Sequence, residues 1–168
     1  MRKKAIILAY SIGLCCLVAS CGQVSNVKDS QQNVTNMPMA KQIKITALPE
    51  LLNKFENGDL DADFFGITSN GTDCIYFVQE GNLYAIEFEV MTEEQKLWID
   101  KLKTFAQQHH YKTWMTTYGN QPAYHSSEPA PVLRIITESN AAQTASIGQN
   151  IMMEVFGNNE QTLYDIVP

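Results

Sequence analysis

The sequence predicts an α+β domain over residues 46–168: an antiparallel sheet of four to five strands, packed with two long helices and a short leading helix. Three observations predict it. Tyr84, Ile86, Phe88 and Val90 alternate with Ala85, Glu87 and Glu89, the period of a half-buried strand with one apolar and one acidic, solvated face. Leu97, Trp98, Ile99, Leu102, Phe105 and Ala106 recur at helical spacing, with Lys96, Asp100, Lys101, Lys103 and Gln107 between them. The segments also run helix, three strands, helix, one or two strands, helix, the order of helices laid over an antiparallel sheet.

Each element has its own local signals. Pro49 suits the first turn of a short helix, Leu48, Leu51, Leu52 and Phe55 form its apolar stripe, and Gly58 can end it. Asp63 to Ser69 reads as a strand, Asn70-Gly71 as a hairpin turn and Cys74 to Gln79 as a second strand. Glu80-Gly81-Asn82 then turns the chain into the alternating third strand. Thr92-Glu93-Glu94-Gln95 is a capping box for a helix from about 93 to 109, whose closing histidines suit its negative end. Tyr111 to Thr116 can be a strand. From Tyr118 to Pro131 the prolines at 122, 129 and 131 impose a loop. The β-branched run Val132 to Thr137 is a strand. Ser139 or Asn140 caps a last helix carrying Ala142, Ala145, Ile151, Met152, Val155 and Phe156, stopped at Gly157. Leu163 to Val167 is a closing segment that no local signal assigns to a type.

The domain is preceded by a different kind of sequence. The chain has 168 residues, a net charge of -6, 45% hydrophobic and 18% charged residues, a globular composition. Its first 20 residues hold Arg2, Lys3 and Lys4, then an apolar run from Ala5 to Ala19 that is shorter than the roughly 20 residues a bilayer span needs. This is the layout of a secretory signal peptide. The junction Val18-Ala19-Ser20-Cys21-Gly22 resembles a bacterial lipobox, which implies removal of residues 1–20 and covalent lipid on Cys21. Each buried methylene contributes about 0.8 kcal/mol, so two or three acyl chains hold a protein on a membrane. Gram-negative inner-membrane lipoproteins carry Asp at the next position, so the resemblance implies for Gly22 the cell outer membrane with the domain on its periplasmic face; surface exposure and a Gram-positive host stay open. Residues 22–45, rich in Gln, Asn and Ser, read as a flexible tether of roughly 25–30 Å.

Beyond residue 20, nine cations face 18 carboxylates, which excludes a nucleic-acid partner because such partners need a positive surface to displace counterions. Of four cysteines, Cys15 and Cys16 leave with the signal and Cys21 takes lipid. Cys74 alone remains, without a partner for an internal disulfide, in a run that reads as a buried strand.

Motifs for chemistry are sparse. Asp59, Asp61 and Asp63 have the start of a calcium loop, but the sixth position is Phe64 and the twelfth Asn70, so an acidic turn is expected. His109 and His110 are adjacent and point apart, unlike the spacing that places two imidazoles on one metal, and His125 lies in the loop. Glu87 and Glu89 share a strand face, as paired catalytic carboxylates or as a solvated outer face. No metal or cofactor beyond the Cys21 lipid is expected. The aromatic side chains Trp114, Tyr118 and Tyr124, in or beside the proline loop, are the candidates for protein binding; the alternative is that Trp114 is core and the tyrosines cover it.

The short first helix, the meander from Asp63 to Val90, the helix with the stripe Leu97 to Ala106, the proline loop, the strand Val132 to Thr137 and the Ala-rich last helix together resemble the type III secretion chaperone-like superfamily. That superfamily includes bacterial proteins described as sensory-transduction regulators. Where it carries Leu-Gly-Trp after the middle helix, this chain has His109-His110-Tyr111. The resemblance implies a non-enzymatic domain that binds other proteins and, as often in that superfamily, a homodimer formed through its sheet or helices. The expected function is therefore a membrane-anchored envelope lipoprotein whose domain binds another envelope protein, in an immunity or chaperone-like adaptor role. A structural or assembly lipoprotein is the alternative, and an enzyme would rest only on Cys74, the histidines and the paired acids.

Overall fold

The computed structural model describes residues 42–60 and 62–167; Cys21, the signal segment and residues 22–41 of the expected tether lie outside them. Gln42–Lys44 form strand β1, followed by a 3-10 turn and helix α1, Leu48–Glu56. The meander is β2, Phe64–Thr68, β3, Ile75–Glu80, and β4, Leu83–Glu89. Helix α2, Lys96–Gln108, leads to β5, Lys112–Thr116, and β6 is Val132–Ile136. Helix α3, Ala141–Asn150, continues through a π-helical turn to Val155, and β7 is Leu163–Val167.

All seven strands join one antiparallel sheet in the order β1-β7-β2-β3-β4-β6-β5. The α+β class is therefore met, with more strands than the four to five expected. One additional strand is β1, inside the stretch read as tether, where Gln42 to Lys44 pair with β7. The other is β7 itself. Neither has a local signature because each is short and takes its structure from its neighbours.

The helices all pack on one face. Phe65, Ile67, Ile75, Phe77, Tyr84, Ile86, Phe88, Leu133 and Ile135 meet Leu48, Leu52, Leu102, Phe105, Ala145 and Ile151 in a single core. Phe77 stands opposite Phe65 and Ile86, so aromatic and branched pairs run across the strands. Gly148 lets α3 approach closely, since a Cβ there would lie 2.7 Å from the Phe77 ring.

Two helix expectations shift. The Thr92–Gln95 box forms, with the Gln95 N–H donating to Thr92 Oγ1 at 3.3 Å and the Thr92 N–H to Gln95 Oε1 at 2.9 Å. Residues 93–95 remain in a turn, and the α-helix starts at Lys96. Leu97, counted in the apolar stripe, is 72% exposed; Leu102, Phe105 and Ala106 share a face that Leu97 does not. Asn140 is the cap of α3, its side chain accepting from the Gln143 N–H. Among the described residues no helix is long and apolar enough to cross a membrane.

Candidate binding site

The opposite face of the sheet carries no described helix, and its chemistry is different. Strand register lines up Val167, Gly66, Tyr76, Glu87, Arg134 and Trp114 in one row across six strands. Gly66 has room for no side chain, because its Cβ would meet Val167 at 2.7 Å and the Tyr76 ring at 2.8 Å. The row thus packs tightly at one end and ends on Trp114, 52% exposed, on the edge strand.

The acidic face expected on β4 is not solvated at its centre. Ala85 and Glu87 are buried and only Glu89 is partly open. Glu87 keeps company that makes burial tolerable: Tyr118 Oη donates to both its oxygens, at 2.6 and 2.8 Å, and Arg134 Nε lies 3.4 Å from Oε1. Arg134 Nη2 pairs with Glu80 Oε1 at 2.5 Å, and the guanidinium carbon is 5.5 Å from the centroid of the Trp114 ring. Neither ion pair of Arg134 has the alignment of a full hydrogen bond, so both rest mainly on Coulomb attraction. The proline loop closes over this network. Asn120 Nδ2 donates to Glu89 at 2.7 Å, and backbone bonds Ala130 N–H to Asn120 O and Val90 N–H to Pro131 O tie the loop down.

Beside the network lies a groove of about 580 Å³. Phe64 and Tyr76, edge to face at 5.9 Å, form one wall with Val78; Tyr118 and Asn120 form the other; Glu87 and Glu89 lie on the floor and Asp63 is part of the lining. Burial, then the hydrogen bond and charge of Glu87, push the Tyr118 phenol up to about 12, so it stays a proton donor at neutral pH. Burial likewise raises Tyr76, helped by Cys74, and pushes the Cys74 thiol up to about 11 against a smaller opposing effect of its hydrogen bond with Tyr76. Cys74 is a buried thiol in its neutral form, but it precedes β3 rather than beginning it and does not belong to the core that the helices cover.

The three aromatic candidates do not gather in one place. Trp114 and Tyr118 both belong to the open face. Tyr124 packs against the helix-side core, with Lys96 Nζ 3.9 Å from the centroid of its ring, and takes no part in the groove. Trp114 is not core, which settles the alternative left open by the sequence. The residues that sequence reasoning missed are Arg134, Tyr76, Phe64 and the burial of Glu87. One signal was visible: Arg134 is the lone charge in an apolar strand, and a buried arginine needs an acid across from it.

The other candidates lie apart. His109 stacks on Tyr111 at 6.0 Å, and its Nε2 is 3.6 Å from Glu154; His110 ends the helix at φ 61°, and His125 is exposed in the loop. Asp59 continues the turn after α1, Asp63 lines the groove, and Asp61 lies outside the described residues. Among the described residues no cluster of three or more His, Cys, Asp or Glu side chains could hold a metal ion. No protein-family model, curated protein or solved structure matches this chain.

Proposed function

We propose that the protein is a lipid-anchored envelope binding module, held at the outer membrane through Cys21, whose sheet face opposite the described helices recognises another protein. The carrying observation is the composition of that face. Phe64, Leu83, Trp114 and Tyr118 are 45–55% exposed around a buried Glu87–Arg134–Tyr118 network. Large side chains around a fixed polar centre are the anatomy of a recognition surface, where aromatic anchors contribute most of the energy.

The test is capture from envelope extracts by the tagged, acylated chain. A partner retained by the unaltered chain and by Leu97→Ala, an exposed apolar residue on the helix side, should be lost from Trp114→Ala/Tyr118→Ala. Equal retention by all three chains would overturn the reading. The anchor has its own test: Cys21→Ser should move the protein from the membrane to the soluble fraction, and unchanged partitioning with an unchanged precursor size removes the lipoprotein assignment.

A further inference from the structure

We infer that the groove beside Tyr118 takes a lysine or arginine side chain from a basic segment of the partner. This rests on the open face being the recognition surface. Three observations carry it: the cavity itself, the chemistry of its lining, and the charge of the domain around it.

Among the described residues three carboxylates line the groove, Asp63, Glu87 and Glu89, and no cation does. Glu87 is already balanced by Arg134 and by the Tyr118 hydroxyl. Glu89 receives a hydrogen bond from the neutral Asn120 amide, so its charge is satisfied in geometry and unbalanced in sign. The walls are the faces and edges of Phe64, Tyr76 and Tyr118. Aromatic walls over a carboxylate floor suit an aliphatic stem that ends in a positive charge: the stem packs on the rings, the cation meets their quadrupoles and the acid.

The other described cations are engaged or placed elsewhere. With Arg134 they are Lys44, Lys54, Lys96, Lys101, Lys103 and Lys112, against 16 carboxylates among the described residues. Lys44 donates to Gln161, Lys54 pairs with Glu50, Lys96 with Glu93 and Lys112 with Glu138, Lys101 lies over Trp98, and Lys103 is exposed on α2, on the helix side of the sheet. The surplus of negative charge draws basic partners toward the surface at long range. The apolar surround identifies a polypeptide as the source of the cation. Phe64, Leu83 and Trp114 flank the groove half-exposed, and residues on either side of an inserted lysine or arginine would cover them, whereas a free amine would leave them in water.

The experiment titrates the full acylated chain, in neutral detergent, with a Leu-Lys-Leu-Lys-Leu peptide and with its Leu-Glu-Leu-Glu-Leu counterpart, following Trp fluorescence. The basic peptide should bind and the acidic one should not. Asp63→Asn/Glu89→Gln should weaken binding by about tenfold, the loss of two charge pairs at a partly open site. The charge-matched control Glu94→Gln/Glu160→Gln, exposed and remote from the groove lining, should bind as the unaltered chain does. Binding that falls equally in both double variants would reduce the effect to net charge and overturn the inference, as would no binding of the basic peptide at all. Butylammonium competing as well as the peptide would overturn the polypeptide assignment. The two readings separate cleanly: an envelope partner lost from Trp114→Ala/Tyr118→Ala but kept by Asp63→Asn/Glu89→Gln leaves the recognition face standing and removes the cation pocket.

Discussion

The two faces of the sheet bury their central side chains by opposite means. On the helix side Phe65, Phe77, Ile86 and Ile135 are apolar and lie under three helices. On the open side Glu87 and Arg134 are 4% and 8% exposed with no described helix above them; ion pairing, a tyrosine hydroxyl and one loop do the covering. Burial on the first face follows from the hydrophobic effect and is insensitive to direction. Burial on the second depends on a few specific polar partners, two ion pairs and the Tyr118 hydroxyl, so it is fragile to single changes.

That contrast can be broken by experiment. Phe77→Ala on the helix face should have the largest effect, a loss of about 3–5 kcal/mol in urea unfolding, because it leaves a cavity under α3. Arg134→Met should cost nearly as much, about 3 kcal/mol, since it strands Glu87 in a buried site, yet Glu87→Leu/Arg134→Met should recover most of the loss. If the double variant is no better than the single one, the open face is held by packing and the contrast fails.

A smaller effect is expected where the two faces meet, at the β2–β3 hairpin. Asp73 is buried, which disfavours its charge, but Ser69, Thr68 and Asn158 all donate to it and together hold its pKa below the usual value. A lowered carboxylate pKa contributes stability that is complete above the unfolded pKa, near 4, and lost as pH falls through the folded one. Asp73→Ala should therefore cost about 2 kcal/mol at pH 7, and the gap to the unaltered chain should narrow below pH 4 in acid unfolding curves. The smallest effect is chemical. With its thiol pushed up to about 11, Cys74 should react with iodoacetamide at pH 8 only after unfolding; fast labelling of the native chain would mean that the open face breathes.

The helix face was legible in the sequence because its rule is periodic. Leu48, Leu52, Leu102, Phe105 and the alternation of β4 announce themselves through spacing, and the core followed. The open face was legible only in parts. Alternation places Glu87 away from the apolar face but cannot distinguish water from Arg134 and Tyr118, which arrive from positions 47 and 31 residues further along the chain. Trp114 and Tyr118 were found through residue type, and Tyr124 was drawn in with them although Lys96 and the core hold it elsewhere. β1 and β7 escaped for the same reason as the network: their partners are set by long-range pairing.

The place of β7 in the sheet has a consequence for how the chain acquires its shape. It lies between β1 and β2 and pairs with both, and the side-chain bond from Gln42 to Asp165 closes a separation of 123 residues. A chain delivered gradually, from a ribosome or through a membrane pore, presents β1 and the outer edge of β2 long before residues 163–167 exist to meet them. Such waiting edges are slow to be satisfied and open to wrong partners, since a distant closure must precede its own reward. The meander, β6 and β5 can assemble early, while β1 has no described partner strand until β7 arrives. Folding of this domain is therefore completed from its far end, and a chain cut before Leu163 keeps most of its core yet exposes a raw strand edge.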